Sequence, residues 1–292
     1  MQNIIFSIEG GIGKSIMATA VCEAIKNQYP KDQLIVITAY PEVFLCNPNV
    51  DKCLSHNNLN YFYQDFIEGK KVKAFLHNPY QETSHIQQEC HLIKTWCDMF
   101  DVKYNKEQPK LYLTNREINF YSNQYQSDKP LLVVHTNGGG ADQQIKYSWM
   151  RDIPNQTAQA VVDAFANEYN VVHIRREDQL PLNNTTPVTA DFRSLVVLLQ
   201  LSSKRLLIDS FAQHTAKALG LDSVVCWIGN NPNVFGYSNN TNIQANKETA
   251  IPELKQAVFS KYNIAGNLLE FPYNDEKEIF NVEDIIEAVK AL

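Results

Sequence analysis

Positive charge is in short supply in this 292-residue chain, glycine is scarcer still, and cysteine is too thin to staple a fold. Lys and Arg number 26 against 32 Asp and Glu, a net charge of -6. Neutralising the phosphates of duplex nucleic acid takes a basic face, so the balance argues against that partner while leaving room for a local basic groove. The six cysteines, Cys22, Cys46, Cys53, Cys90, Cys97 and Cys226, do not make a disulfide framework, and a reducing, cytoplasmic setting is expected. No run approaches the ~18 apolar residues of a membrane span. The opening Met1-Gln2-Asn3-Ile4-Ile5-Phe6 lacks the basic and long apolar regions of a secretory leader. The sequons Asn155-Gln156-Thr157 and Asn183-Asn184-Thr185 therefore read as chance matches. What is present is ordinary for a globular protein: 44% hydrophobic and 20% charged residues exclude a disordered, collagen-like or disulfide-scaffold chain. At about 150 residues per domain, the length predicts roughly two domains.

With only 11 glycines, their placement carries information. Gly10, Gly11 and Gly13 form one cluster, Gly138, Gly139 and Gly140 a second, and Gly220, Gly229 and Gly236 a looser third. The first two follow short β-rich runs, 3–8 and 131–136, and Gly229 follows 224–228 in the same way. Buried parallel strands read as such near-continuous apolar runs. A glycine just past a strand lets backbone approach a ligand, and open α/β sheets bind ligands at that edge. Repeated β-turn-α units emerge. In the first half they are a strand at 3–8, a helix at about 14–28 and a strand at 34–38. A helix is expected over 85–99, a short strand or connector at 109–113, and a helix plus linker over 115–128; 61–75 is mixed. In the second half, strands at 131–135, 170–174, 205–208 and 224–227 alternate with helices at 156–168, 192–201 and 212–219. Gly220 closes the last of these. A terminal helix over 282–292 carries Ile285, Ile286, Val289 and Leu292 on one face. No repeat of 20–50 residues is present. Two successive wound α/β halves, 1–128 and 129–292, are the simplest architecture.

Glu9-Gly10-Gly11-Ile12-Gly13-Lys14-Ser15 approaches a phosphate loop, but the first glycine of the full pattern falls on Ile8. Amides there would still attract an anion. A P-loop ATPase also needs a strand ending in a Mg-binding Asp at a suitable distance; the 34–38 strand leads to Tyr40-Pro41-Glu42 instead. An ATPase, a glycine turn needed only for packing, and a ligand loop of another kind all stay open. The second motif runs Leu206-Leu207-Ile208-Asp209-Ser210-Phe211-Ala212-Gln213-His214-Thr215-Ala216-Lys217-Ala218-Leu219-Gly220. Asp209 and Ser210 fall where the helix N-cap belongs, and the bland role for Asp209 is capping. His214 lies one turn in and can face the same mouth as Ser210. Asp, Ser and His on one turn and helix rarely make a hydrolase triad, and no Gly-x-Ser-x-Gly elbow accompanies them.

This second segment resembles the donor-binding signature of glycosyltransferase family 9, the ADP-heptose:lipopolysaccharide heptosyltransferases: Asp, Ser/Thr, Gly, two residues, His, then a small-residue helix ending Ala-Leu-Gly. Val224 to Pro232 and Phe235-Gly236-Tyr237 are similar to the family's next strand, its Gly-x-x-x-Pro turn and its Trp-Gly-Pro/Tyr region. Weaker similarities keep the family's order. They are the first strand and turn from Ile4 to Ala24, Pro109-Lys110-Leu111-Tyr112-Leu113-Thr114 as the Pro-Arg-Leu-x-Leu connector, 131–140 as the His-Pro-Gly-type loop, and Arg151-Asp152-Ile153-Pro154 as Lys-x-Trp-Pro. The resemblance implies a GT-B fold, two Rossmann-like doubly wound α/β domains facing a central cleft, with a last helix that crosses back. It implies an acceptor-side first domain, 1–128, and a nucleotide-sugar-binding second domain, 129–292. The activity implied is transfer of a sugar from a nucleotide-diphosphate sugar donor, ADP-heptose-like, to a saccharide or other hydroxyl acceptor, with inversion, no required metal and no cofactor. Two departures stand out. Gly13-Lys14 occupies the family's Gly-Asp, whose carboxylate is its proposed base, and Phe211 replaces the signature glycine.

The implied donor-binding residues are Asn137, Gly138, Gly139, Arg151, Asp209, Ser210, Gln213 and His214. Departure of the diphosphate leaves negative charge on the leaving oxygen. The helix N-terminus at Ser210, the amides of Gly138 to Gly140 and the Arg151 guanidinium are placed to meet it. Gly10, Gly11 and Gly13 would form the acceptor loop. Glu9, the nearest carboxylate, is the candidate general base, with Lys14 the alternative catalytic group or a holder of an anionic acceptor. Transfer to modified DNA bases, a non-catalytic sugar-nucleotide binder and, lower, a P-loop ATPase are the competing functions. His85, Cys90, His91 and Cys97 match no zinc spacing. Arg175-Arg176-Glu177-Asp178 reads as a solvated loop within reach of the nucleotide, and Tyr61-Phe62-Tyr63 with Phe66 as core filling.

Overall fold

The computed structural model describes residues 2–139, 148–254 and 270–292. The chain divides into two compact units, Met1–Thr114 and Asn115–Leu292. The boundary expected at 128 thus falls earlier, because helix α5 (Asn115–Ser122) packs on α7 (Phe192–Leu201) of the second unit. There Arg193 Nε donates to Glu117 Oε1 at 2.8 Å, and just beyond α5 Tyr125 and Ser194 share a hydroxyl hydrogen bond of 2.5 Å.

In the first unit β1 (Asn3–Ile8), β2 (Gln33–Thr38), β3 (Lys52–Ser55) and β4 (Val72–Phe75) form a parallel sheet in the order β3-β2-β1-β4. Asn3 pairs with Gln33 on one side and with Val72 on the other. β1 and β2 read as unbroken apolar runs because both faces of the sheet are covered. Phe6 meets Trp96 of α4 (Leu92–Met99) edge-on at 5.3 Å, whereas Ile5, Ile35 and Ile37 face Phe62 and Phe66 of α2 (Phe62–Phe66). Of the aromatics expected to fill a core, Phe62 and Phe66 pack against it half-buried; Tyr61 and Tyr63 are 74% and 61% exposed. Helix α1 (Ile12–Gln28) is buried along most of its length, and fully buried Ala18, Ala20 and Ala24 bring its backbone close to its neighbours. The single helix expected over 85–99 is two pieces, α3 (Thr83–Ile86) and α4. Between them Gln88 takes φ 55, which no right-handed helix continues through. The stretch 109–113 is a connector without regular structure, tied down where Lys110 N donates to Thr19 Oγ1.

The second unit has six parallel strands, β5 (Leu131–Val134), β6 (Asn170–Ile174), β7 (Thr186–Val188), β8 (Lys204–Ile208), β9 (Ser223–Trp227) and β10 (Asn240–Gln244). Their order is β10-β9-β8-β5-β6-β7. Strand alternation sends Leu132, Val134, Leu206, Ile208 and Val224 to one face. There they pack with Val161, Val162 and Phe165 of α6 (Asn155–Phe165) and with Ile285 and Val289 of α9 (Val282–Ala291). Leu131, Val133, Leu207, Val225 and Trp227 point the other way, onto Leu195, Leu198 and Leu199 of α7 and Ala212 and Ala216 of α8 (Phe211–Ala218). The apolar stripe expected on the last helix is there, with Ile286 and Leu292 partly buried beside Ile285 and Val289. Gly220 closes α8 in the left-handed region, at φ 72.

Both sheets reverse direction once. From β1 the chain adds β2 and β3 on one side, then places β4 on the other; from β5 it adds β6 and β7, then β8, β9 and β10 opposite. The loops at the carboxyl ends of β1 and β4, and of β5 and β8, therefore diverge, which opens a crevice in sheets of this kind.

Candidate functional site

At the reversal in the second unit, β5 runs into His135 and the 137–139 loop, and β8 runs into Asp209 and Ser210. His135 N still donates to Leu206 O at 2.9 Å, so the two strand ends are held side by side. His135 Nδ1 lies 2.8 Å from Ser210 Oγ, and its ring meets the Phe211 ring edge-on at 5.1 Å. Ser210 is the N-cap residue of α8, yet no side chain caps the helix. The capping role expected for Asp209 is not the one it plays: its Oδ1 accepts from Gln213 Nε2 at 3.2 Å and its Oδ2 from Asn230 Nδ2. The first amides of α8 thus meet no side-chain cap, and an uncapped helix start attracts anions.

The charge of Arg151 reaches this turn, acting on Asp209 and His135. A Cβ placed on Gly138 would sit 2.5 Å from Arg151 Nε, so glycine here lets the guanidinium lie against bare backbone. Arg151 Nε has no hydrogen-bond partner among the described residues and stands 3.9 Å from Asp152 Oδ1. Asp152 is occupied elsewhere: it accepts from Gly138 N at 2.9 Å, Ser148 N at 2.8 Å and Asn137 Nδ2 at 3.4 Å, fixing the loop. Gly139 takes φ 103; Gly140 lies outside the described residues. Beside the turn is a cavity of about 220 Å³, lined by His135, Asn137, Gly139, Arg175, Arg176, Gln179, Thr189 and Phe211 among others. Phe211, in the place of the signature glycine, forms part of its wall and does not fill it. Arg175, expected in a solvated loop, spends its Nη1 on the carbonyls of Arg176, Glu177 and Gln179 and braces the cavity rim.

Burial dominates the electrostatics of this turn. Burial, helped by the positive charge of Arg151 and by His173, holds the His135 imidazole down to about 3; burial and then Arg175 hold His173 down to about 4. Burial raises the Asp209 carboxyl, against the pull of Asn230, Arg151 and Gln213. Gln213 and His214 sit behind the turn. Gln213 is fully buried, its Nε2 donating to Asp209 Oδ1 and Phe235 O while its Oε1 accepts from Asn240 Nδ2. His214 is buried with its Nδ1 2.8 Å from Tyr237 OH, against the expectation that it shares the mouth with Ser210. Asp209, Ser210 and His214 have separate partners and make no relay.

At the reversal in the first unit, Gly10 turns the chain at φ 100, Gly11 caps α1 without a side-chain bond, and Gly13 is already helical. Lys14 does not point outward as a phosphate-loop lysine would. Its Nζ donates to Asn78 Oδ1 at 2.8 Å, over the rings of Tyr80 at 4.7 Å and Trp96 at 5.3 Å. Burial draws its ammonium down to about 8, opposed by the charge of Glu9, which is exposed. Lys14 in turn helps burial hold His85 down to about 4. Among the described residues no group of His, Cys, Asp or Glu could hold a metal, His85, Cys90, His91 and Cys97 included. Four residues escaped the sequence reading: His135, Asp152, Asn230 and Asn78. His135 had a legible signal, the first polar position after the apolar run of β5; the others are recruited through space.

Neither a family model nor a curated protein sequence matches the chain. Solved structures do. The glycosyl transferase family 9 protein from Veillonella parvula aligns with 99% of this chain and 96% of its own, at TM-score 0.68 and 15% identity. E. coli ADP-heptose lps heptosyltransferase II aligns with 100% and 98%, at TM-score 0.68 and 12% identity. E. coli heptosyltransferase WaaC with ADP covers 84% of this chain and 94% of its own, at TM-score 0.57 and 8% identity. The chain has the GT-B fold of these glycosyltransferases. The expectation drawn from the 206–237 segment therefore holds at the level of the fold, and the two parallel sheets are its two halves.

Proposed function

We propose that the protein is a glycosyltransferase that takes its sugar from a nucleoside-diphosphate donor, ADP-heptose-like as in the neighbours named for that substrate, and passes it to a hydroxyl of a saccharide acceptor with inversion. The observation that carries this reading is the uncapped start of α8 at the sheet reversal, in reach of the Arg151 charge and beside a cavity of about 220 Å³. The diphosphate lies on the α8 amides, Ser210, the Gly138 and Gly139 amides and Arg151, with Asn137 at the loop. Negative charge grows on the leaving oxygen as the glycosidic bond breaks, and fixed dipoles and a guanidinium stabilise that charge without reorganising. The nucleoside enters the cavity walled by Phe211. Asp209, Gln213 and His214 hold the turn in shape from behind.

The second unit takes the donor and the first the acceptor, over the Gly10, Gly11 and Gly13 loop. Glu9, exposed in that loop, removes the acceptor proton; Lys14, turned onto Asn78, anchors the loop. Thermal shift with ADP, ADP-heptose, and GDP- and UDP-sugars, followed by product detection with saccharide acceptors, tests the reading. A ligand at 100 times its dissociation constant stabilises by about 2.7 kcal/mol. Transfer lost in Glu9→Gln with donor binding kept supports the base. One observation favours a second reading, a non-catalytic binder: an inward ammonium stands where the family has its carboxylate. Binding of ADP-heptose with neither transfer nor hydrolysis selects it.

A further inference from the structure

We infer that His135 is a positioning residue for the donor diphosphate, its Nδ1–H donating to Ser210 Oγ so that the Ser210 hydroxyl hydrogen is free to point at a phosphate oxygen. The inference rests on the nucleotide-sugar reading of this site. A serine hydroxyl has one hydrogen and two lone pairs. It can donate to His135 or to an anion, and not to both. If the Nδ1 of His135 were the acceptor of their 2.8 Å contact, Ser210 would present only lone pairs to an arriving phosphate, which repels it. With Nδ1 protonated, Ser210 accepts from the ring and donates outward.

Three observations favour this arrangement. Ser210 does not spend its hydroxyl on capping α8, though it occupies the N-cap position. His135 is 5% exposed, and its ring meets the Phe211 ring edge-on at 5.1 Å while its Nδ1 lies 2.8 Å from Ser210 Oγ, which holds the two side chains together. Burial and the neighbouring His173 and Arg151 keep the imidazole neutral, so it carries one N–H, and its tautomer decides which way the Ser210 hydrogen points. His135 acts on the diphosphate through Ser210; it fixes the donor side of a charge-assisted hydrogen bond before the ligand arrives.

A double-mutant cycle on ADP affinity by isothermal titration tests this, with His135→Leu, Ser210→Ala, their combination, and His135→Asn, whose amide N–H can be placed where the ring Nδ1–H lies. His135→Leu should weaken ADP about tenfold, the scale of one hydrogen bond to a charged group. In the Ser210→Ala background the same change should cost less than about twofold, because the mediator is gone. His135→Asn should bind within about threefold of wild type. Equal losses in both backgrounds, no loss in His135→Leu, or a His135→Asn as weak as His135→Leu would each overturn the inference while leaving nucleotide binding in place. Wild-type protein that binds no nucleoside diphosphate overturns the site reading and this inference together.

Discussion

The two glycine turns of this chain occupy equivalent places in two parallel sheets and end up opposite in character. In the second unit the residue after β8 leads into a helix start that no side chain caps, with the Arg151 charge in reach and a cavity of about 220 Å³ alongside. In the first unit the crevice between β1 and β4 is bridged from within: Lys14, after β1, donates to Asn78, after β4, over two aromatic rings. One reversal leaves the Nε of its arginine without a hydrogen bond among the described residues, and the other consumes its own cation. The difference lies in side-chain length and neighbours. Lys14 reaches a hydrogen-bond partner across the crevice, whereas Arg151, packed on Gly138, has for its Nε only the longer 3.9 Å approach to the neighbouring Asp152 among the described residues.

The contrast breaks first at Arg151. Arg151→Ala should weaken ADP about 10- to 100-fold in titration calorimetry, the range for losing charge-assisted bonds to phosphate. Unchanged affinity would mean that the open turn is not the anion site. Gly138→Ala comes next. Its methyl would collide with the Arg151 guanidinium, so the side chain must leave; ADP should weaken about tenfold, in line with one lost charged contact, while the melting curve moves little. Should Gly138→Ala bind normally, Arg151 is reaching its ligand from another position.

The pH dependence of stability sharpens the comparison further. His135 and His173, held at about 3 and 4, and His85 in the first unit, at about 4, all lie below the ~6.5 of the unfolded chain. Between those values the unfolded chain binds more protons, so stability is lost as pH falls from 6.5 towards 4. Urea midpoints should drop across that window, less steeply in His173→Gln, which removes one such group. Lys14 sets the alkaline side. Its folded value of about 8 lies below its ordinary 10.5, so between them the unfolded chain again holds the extra proton and stability rises with pH. That rise should be missing in Lys14→Met. The same variant is expected to have the smallest effect on ligand binding, with ADP affinity within about twofold of wild type, the behaviour of a site with no shared partners. A large loss of donor affinity there would show that the two turns are not independent.

The second unit was legible because its strands are interior. Buried on both faces, β5, β6, β8 and β9 are apolar runs that composition alone marks, and glycine follows the ends of β5 and β9. The short or polar β3, β4, β7 and β10 went unread. All are edge strands, whose polar residues carry no alternation to find. Helix 85–99 was overextended because the left-handed Gln88 leaves no compositional trace.

The sequence by itself determined the α/β class, two successive wound units and the turn at Asp209-Ser210, since strand burial and helix entry are local demands written in neighbouring residues. Tertiary structure alone decided what each turn does. Whether a polar group meets a ligand or its own fold depends on partners 75 residues away for Ser210 and 64 away for Lys14, and no spacing along the chain encodes such a meeting.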